Sequence, residues 1–294
     1  MWEPTGVGNS SNTIRNYGDF NMSLISEAFL TDEISLKDKT ALITGASSGI
    51  GLATAVWLAR EGVHLILLAR REEKLLQAKK EILERFPAIK VHIICADVNA
   101  KNIIDTLEVE GALDVDILIN NAGLSLGRDH VVNTPDEDLQ QMVDTNITAA
   151  FRIATAVAKK MLAANSSGAS RTQGNIVNLG STAAHFTYAG GAIYCATKFA
   201  VRAFSETLRQ ELHDKNIRVI LVSPGIVQTE FSLVRFKGNT QKADAVYAKF
   251  DCLKASDIAR TIVKALKEPT HVNWDEVLIL PTTQAPVTGA RVTL

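Results

Sequence analysis

Residues 40–60 read TALITGASSGIGLATAVWLAR, and three different sequence patterns follow one another within this stretch. Residues 40–44 form an apolar run of strand length, and residues 52–60 have the apolar spacing of a helix. Between them, Gly45, Gly49 and Gly51 permit a tight turn and let a pyrophosphate approach the N-terminus of the helix. Ordinary strand–helix turns share this glycine spacing, so the motif alone indicates a dinucleotide site without establishing one.

The alternation of strand and helix continues along the chain. Apolar runs of strand length occupy residues 40–44, 63–69, 91–96, 115–120, 175–179, 218–223 and 277–280, and each of the first six precedes a helical pattern. Such a pattern predicts an α/β fold, a single-domain Rossmann-type doubly wound parallel sheet of seven strands with helices on both faces. Ligands then bind at the carboxyl ends of the strands.

The N-terminal residues have a different texture from the rest of the chain. Residues 1–36 are rich in Ser, Asn, Gly and Thr and are predicted to form a flexible extension. Residues 37–294 are assigned to the sheet domain.

Composition excludes several function classes. A formal net charge of -1 over 294 residues gives no support for partners such as nucleic acid or acidic membranes. The apolar runs are too short to span a membrane, and the N-terminus lacks a signal pattern. Three cysteines without CxxC spacing and six scattered histidines indicate neither disulfides nor a metal site. We therefore expect a cytoplasmic protein.

The end of the second strand indicates which dinucleotide binds. A site for NAD usually offers an acid there for the ribose 2′-hydroxyl, whereas this chain places Arg70 and Arg71 at that point. Two guanidinium groups suit a 2′-phosphate, which predicts NADP(H) as the cofactor. The alternative is a pair of solvated arginines that end a strand.

Residues 190–201 read GGAIYCATKFAV and contain a second candidate site. Tyr194 and Lys198 are four residues apart, so they share one face of a helix. Cys195 points about 100 degrees away around the helix and is expected to pack. The pair alone could equally decorate an amphipathic helix.

Together these motifs resemble the short-chain dehydrogenase/reductase family. TGASSGIG matches its TGxxxGxG, Asn120–Gly123 matches its NNAG, and Tyr194 with Lys198 matches its YxxxK, all in order between about residues 37 and 281. A narrower likeness, carried by GSTAAHFTYAGGAIYCATKFAVRAFS, EFSLVRFKGN and LPTTQA, is to the branch of NADP-dependent 3-hydroxy acid dehydrogenases that oxidise L-serine and L-allo-threonine.

The resemblance implies a full set of site residues. The implied catalytic residues are Asn146, Ser181, Tyr194 and Lys198. The implied cofactor-binding residues are Gly45, Ser47, Ser48, Gly49, Ile50, Gly51, Arg70, Arg71, Asp97, Val98, Asn121, Ala122, Gly123, Tyr194, Lys198, Pro224, Gly225, Val227 and Thr229. The resemblance also implies a mobile lid at about residues 229–250 and a homodimer or homotetramer that pairs through helices near residues 135–164 and 194–215.

Hydride transfer needs a group that gives a proton to the forming alkoxide or takes one from the alcohol. Free tyrosine has a pKa of about 10, so we expect the Lys198 ammonium to lower the pKa of Tyr194. Ser181 is expected to hold the substrate oxygen, and Asn146 to anchor a water that links Lys198 to solvent. Taken alone, Ser181 could instead cap a turn, and Asn146 could bond local backbone.

The substrate is the least determined part of the sequence prediction. A 3-hydroxy acid needs a cation for its carboxylate, and Arg235 in the lid is the first candidate, with Arg128 the second. His185, Phe186 and Tyr188 fall where a pocket wall is expected, and they could favour a bulkier ketone instead.

Three functions remain open from the sequence. The first is an NADP-dependent oxidoreductase that interconverts a secondary alcohol and a ketone on small 3-hydroxy acids. The second is a ketoreductase of a bulkier carbonyl compound in secondary metabolism. The third is a non-catalytic NADPH-binding sensor or scaffold, which would have no need of Ser181, Tyr194 and Lys198.

Overall fold

The computed structural model describes residues 33–166, 173–248 and 250–285. In this part of the chain, seven parallel strands form one sheet in the order β3-β2-β1-β4-β5-β6-β9. The strands are β1 (Thr40–Thr44), β2 (His64–Ala69), β3 (Val91–Cys95), β4 (Ile117–Asn120), β5 (Gly174–Leu179), β6 (Ile217–Pro224) and β9 (Glu276–Ile279). The predicted α/β fold is confirmed, and each predicted strand lies within two residues of its observed bounds.

Helices cover both faces of this sheet. The longer ones are α1 (Gly49–Arg60), α2 (Glu72–Arg85), α3 (Ile103–Val109), α4 (Asp136–Val143), α5 (Ala150–Ser166), α6 (Ala192–Leu212) and α9 (Ala255–Lys267). Between α4 and α5 the chain makes a π-helical segment, Asp144–Ala149.

Two apolar layers result from the pleat of the strands. Ala41 and Ile43 of β1 pack in the core that includes α1, α2 and α9, whereas Leu42 between them packs in the core that includes α3, α5 and α6. Successive side chains of a strand point to opposite faces, so a fully apolar strand must be covered on both. The apolar runs in the sequence therefore required this two-sided architecture.

The order of the strands locates the functional edge of the sheet. From β1 the chain proceeds to β2 and β3 on one side, then returns to β4 on the other side of β1. The connections leave a crevice at the carboxyl ends of β1 and β4, where a doubly wound sheet binds its ligands.

The segment predicted as a lid contains two short helices, α7 (Phe231–Arg235) and α8 (Thr240–Tyr247). It lies between two strands that the sequence did not predict, β7 (Val227–Gln228) and β8 (Leu253–Lys254), which pair in a separate parallel sheet. The Tyr247 hydroxyl donates to the Thr229 carbonyl at 2.8 Å and so holds α8 against the start of the segment.

Most of the predicted N-terminal extension, residues 1–32, lies outside the described residues. Its last four residues are described and contact the sheet domain. The Ile34 N–H donates to the Lys267 carbonyl at 2.8 Å, and Leu36 is buried in the core. Packing of the sheet domain therefore begins before residue 37.

Within the described ranges, no helix combines the length and the apolar character needed to cross a bilayer.

Candidate active site

The turn after β1 requires glycine for two reasons, its backbone conformation and the lack of room for a Cβ. Gly45 and Gly49 adopt φ values of +67° and +56°, which favour glycine. A Cβ on Gly51 would lie 2.5 Å from the Gly45 carbonyl oxygen and 2.6 Å from Asn121 Nδ2. The turn therefore presents bare backbone to the N-terminus of α1, which is the arrangement that binds a pyrophosphate.

The NNAG segment holds this turn in place. The backbone N–H groups of Asn121 and Ala122 both donate to Thr44 Oγ1 at 2.9 Å, and Asn121 Nδ2 donates to the Thr44 carbonyl at 2.8 Å. The end of β4 is thereby fixed to the end of β1, on the two sides of the crevice.

A cavity of about 370 Å³ occupies the crevice and brings most predicted residues together. The predicted residues that line it are Gly45, Ser47, Ser48, Gly49, Ile50, Arg70, Arg71, Asp97, Val98, Asn121, Ala122, Gly123, Ser181, Tyr194, Lys198, Pro224, Gly225, Val227 and Thr229. The bare glycine turn at one end and the arginines at the end of β2 fit a dinucleotide with a 2′-phosphate.

The two predicted phosphate-binding arginines have different surroundings. Arg71 donates from Nη2 to Ser48 Oγ at 2.8 Å and to Ser47 Oγ at 3.0 Å, so its guanidinium lies against the glycine turn. Arg70 is more exposed, at 62%, and its Nη1 lies 3.8 Å from Asp97 Oδ2. Arg71 is therefore already placed, whereas Arg70 is free to turn towards a ligand.

The catalytic candidates meet at the carboxyl end of β5. Ser181 follows this strand and lines the cavity together with Tyr194, which lies in the first turn of α6. The Ser181 Oγ accepts from the Ala183 N–H at 3.1 Å and so also caps the turn after β5. One turn later, Lys198 Nζ donates to the Leu179 carbonyl at 2.7 Å and lies 5.8 Å from the centroid of the Tyr194 ring. Both side chains are buried, at 8% and 6% exposure.

Lys198 is not among the groups that shift the pKa of Tyr194 in this structure. Burial raises the pKa of Tyr194 to about 12, with a further rise from Tyr188, while the hydrogen bond with Ser181 and the charge of Arg235 oppose it. Burial also lowers the pKa of Lys198 to about 8. The ammonium turns to the Leu179 carbonyl, so desolvation of the phenol exceeds any stabilisation of the phenolate by charge.

Asn146 lies beneath the cavity in the π-helical segment and is 1% exposed. Its Nδ2 donates to the Leu124 carbonyl at 2.7 Å and to Thr197 Oγ1 at 3.0 Å, and its Oδ1 accepts from the Leu124 N–H at 2.8 Å. The Asn146 side chain thus links the loop after NNAG to α6 by hydrogen bonds. Since both N–H groups are engaged, the predicted water would have to bind an acceptor oxygen of Asn146.

Arg235 is not among the residues that line the cavity, but it contacts the Tyr194 ring. Its guanidinium carbon is 5.4 Å from the centroid of the Tyr194 ring and 5.2 Å from that of Phe231. Its Nη2 donates to the Tyr188 hydroxyl at 3.4 Å, while its buried Nε has no hydrogen-bond partner among the described residues. Arg128 stands one layer further out, over the Tyr188 ring at 5.6 Å.

His185 turns away from the cavity. Its Nε2 lies 2.6 Å from Glu276 Oε1 on β9, and the same carboxylate accepts from Ser223 Oγ at 2.8 Å. The prediction of His185 as a pocket wall missed this pairing, because Glu276 is 91 residues further along the chain.

Several cavity residues were not predicted. Phe231 packs edge-on against Tyr194 with ring centroids 5.7 Å apart, and Val234, one turn later, also lines the cavity. Glu230 lines the opposite end, beside Arg71. The i, i+3 spacing of Phe231 and Val234 is a helical signal that could have identified the apolar face of α7.

No group of three or more His, Cys, Asp or Glu side chains is placed to share a metal ion in the described part of the chain. Cys195 is buried, with 1% exposure, as expected for a packing residue.

The profile described as short chain dehydrogenase matches residues 39–240. The chain belongs to the short-chain dehydrogenase family. It is 40% identical over 253 residues to an NADP-dependent 3-hydroxy acid dehydrogenase of Schizosaccharomyces pombe, which covers 85% of this chain and 95% of that protein. It is 38% identical to a serine 3-dehydrogenase of Agrobacterium fabrum, with coverage of 84% and 95%.

A solved structure gives the same result at the level of the fold. The closed form of serine dehydrogenase complexed with NADP+ superposes with a TM-score of 0.76 at 35% identity, and the match covers 84% of this chain and 96% of that one. The predicted family, fold class and dehydrogenase class are thereby confirmed.

Burial of the Lys198 ammonium predicts a pH-dependent stability. The pKa of this group is about 8 in the folded protein against 10.5 ordinarily, so between these values the unfolded chain binds more protons. Stability must then rise with pH in this window. Relative to Lys198→Met, we expect the wild-type free energy of unfolding to gain about 2 kcal/mol between pH 7 and pH 10.

Urea denaturation at fixed protein concentration measures this difference. Lys80→Met is the matched control, because the Lys80 side chain is 77% exposed and should show no such gain. A wild-type minus Lys198→Met difference that stays flat across the window would contradict a desolvated ammonium.

Proposed function

We propose that the protein interconverts small 3-hydroxy acids, such as L-serine or L-allo-threonine, with the corresponding 3-oxo acids. The coarser statement does not depend on the substrate: the chain is an NADP-dependent oxidoreductase of a family that acts on CH–OH groups. The observation that carries the finer proposal is the guanidinium of Arg235 beside the Tyr194 ring.

Arg235 suits a carboxylate that is attached to the neighbour of the reacting carbon. A 3-hydroxy acid carries its carboxylate two bonds from the carbinol carbon, so a substrate whose oxygen reaches Tyr194 brings its anion close to this guanidinium. The buried Nε without a partner among the described residues is a donor that a carboxylate can satisfy. The names of the two relatives above, a 3-hydroxy acid dehydrogenase and a serine 3-dehydrogenase, support the same substrate class.

The roles of the other residues follow from their positions. When bound, NADP accepts the hydride that leaves the carbinol carbon, or supplies it in reverse. Tyr194 takes the hydroxyl proton in oxidation and returns it in reduction. Ser181 lines the same cavity as Tyr194, and its hydroxyl is assigned to hold the substrate oxygen in line with the phenol. Lys198 is placed to contact the nicotinamide ribose.

The protonation state of Tyr194 differs between the two directions. With a pKa of about 12, the residue is a phenol at neutral pH, which is the acid that ketone reduction requires. Oxidation requires the phenolate, so positive charge at the site has to offset the cost of burial. We therefore infer that oxidation is the direction whose rate rises more steeply with pH.

The packing over Tyr194 favours a small substrate over a bulky ketone. Phe231 meets the ring edge-on, and Arg235 and Tyr188 close the side next to it. His185, a candidate pocket-wall residue for a bulkier ketone, is paired with Glu276 instead. A sensor without turnover would not need Ser181, Tyr194 and Lys198 around one cavity, so this alternative has no observation in its favour.

An oligomer remains part of the proposal. Phe151 of α5 stacks on Phe204 of α6 with centroids 4.0 Å apart, and Phe199 of α6 is 39% exposed. These aromatic side chains support pairing through the two helices, as a homodimer or a homotetramer. A cytoplasmic location is part of the proposal on composition alone.

A substrate panel tests the proposal through Arg235. We expect Arg235→Met to raise the KM for L-serine about ten-fold or more, because the substrate carboxylate loses a charge-assisted bond, and Arg235→Lys to retain part of the affinity. A neutral secondary alcohol should be affected much less. The measurement is NADPH absorbance during turnover, with Lys242→Met as a control that removes an exposed lid cation.

Other outcomes identify the alternatives. Turnover of bulky ketones with none of small hydroxy acids would contradict the substrate class and favour a ketoreductase. Tight NADPH binding without turnover of any compound would favour a sensor.

A second prediction concerns the cofactor. Replacement of both Arg70 and Arg71 with Ala should weaken NADPH binding about a hundred-fold, because two charged hydrogen-bonding partners of the 2′-phosphate are lost, and NADH binding far less. Fluorescence titration of each nucleotide measures the two affinities. Equal losses would mean that these arginines do not read the 2′-phosphate.

A further inference from the structure

Glu230, the second residue of the predicted lid, spans the phosphate end of the cavity. Its Oε2 accepts from Arg71 Nη1 at 2.8 Å and its Oε1 from Lys74 Nζ at 2.6 Å. The preceding residue, Thr229, lies directly over the glycine turn, with its Cβ 3.5 Å from the position of a Cβ on Gly49. The carboxylate therefore lies at the entrance to an anion site and binds its cations.

The hydrogen bonds of Arg71 leave little room for another anion. Nη1 donates to Glu230, Nη2 donates to both Ser47 and Ser48, and Nε donates to Ser47 at 3.2 Å. A guanidinium has five N–H groups, so a phosphate that binds Arg71 in bidentate fashion must displace a present partner. The serine hydroxyls can rotate and donate to the phosphate, whereas a carboxylate only accepts and repels it.

Lys74 belongs to the same cluster. It follows Arg71 by three residues at the start of α2, so the two cations share one face of that turn. Its contact with Glu230 brings a third positive charge to the end of the site that Arg70 and Arg71 form. A dianionic group would gain from all three charges.

We propose that Glu230 occupies the place of the 2′-phosphate when no nucleotide is bound, and that the 2′-phosphate of NADP(H) displaces it from Arg71 and Lys74. Lys74 is then a further residue that selects NADP over NAD. This inference rests on the proposed role of the arginines at the end of β2. Because Glu230 begins the lid, the exchange also couples occupation of the phosphate site to the first residues of the lid.

The energetics allow this exchange. The side chains of Arg71, Lys74 and Glu230 are 40–44% exposed, so their ion pairs are weak enough for a phosphate to replace. Lys74 foremost, together with Arg71 and Ser48, lowers the pKa of Glu230 to about 2. The carboxylate is therefore charged at every pH near neutrality, and an incoming anion, rather than a proton, must release it.

Binding of NADPH and NADH to three single variants tests the proposal. Glu230→Gln removes the internal competitor and should tighten NADPH binding about three- to ten-fold, with NADH changed less than about two-fold. Lys74→Gln should weaken NADPH binding about three- to ten-fold and leave NADH binding unchanged. Glu84→Gln, which removes an equal charge from the exposed end of α2, is the control and should change neither.

Three results would overturn the proposal. Weaker binding of both nucleotides to Glu230→Gln would mean that the carboxylate stays closed over a bound cofactor. Unchanged NADPH binding to Glu230→Gln would show that Glu230 does not compete with the 2′-phosphate. Unchanged NADPH binding to Lys74→Gln would show that Lys74 does not bind the 2′-phosphate. The double variant of Arg70 and Arg71 distinguishes these results from a failure of the proposed function. If its affinities for NADPH and NADH fall equally, the 2′-phosphate binds elsewhere.

Discussion

Removal of the Tyr194 hydroxyl and the Lys198 ammonium from water is the constraint on which the proposed chemistry of this protein depends. Both groups lie at the carboxyl end of β5, and burial shifts each pKa towards the uncharged form, to about 12 for the phenol and about 8 for the ammonium. A buried phenol that keeps its proton can act as an acid at neutral pH, and charge brought near it has a large effect because little water screens it. In the proposed mechanism, positive charge brought by bound ligands would therefore determine when Tyr194 ionises.

The remainder of the structure positions this pair. The doubly wound sheet places the ends of β1, β4, β5 and β6 along one edge, so the glycine turn, NNAG and the catalytic helix face one crevice. Asn146 ties the loop after NNAG to the catalytic helix from below. From above, α7 contributes Phe231 and Arg235, which cover the Tyr194 ring and add a positive charge beside it. The glycine turn, Tyr194 and the segment 229–250 are therefore connected through direct contacts of described residues.

Local patterns in the sequence predicted the sheet, the glycine turn and the convergence of Ser181, Tyr194 and Lys198 on one cavity, because each depends on residues that are close in sequence or on motifs that keep fixed spacing. The failures involve contacts between distant residues. The rise in the Tyr194 pKa comes first from burial and then from Tyr188, which spacing on α6 does not reveal. Pairing of His185 with Glu276 and of Arg71 with Glu230 joins residues 91 and 159 positions apart. Short strands such as β7 and β8 carry too few residues for a periodic pattern.

Replacement of Tyr194 by Phe tests the central claim most directly, since it removes one hydroxyl and keeps the ring that Phe231 and Arg235 contact. The account predicts that kcat falls by about a thousand-fold or more, because the proposed mechanism assigns the proton transfer to the Tyr194 hydroxyl, while the dissociation constant for NADPH changes by less than about two-fold. Single-turnover absorbance and nucleotide titration on the same sample give both values. Turnover within about ten-fold of the wild-type rate would contradict the account and assign the proton transfer to another group.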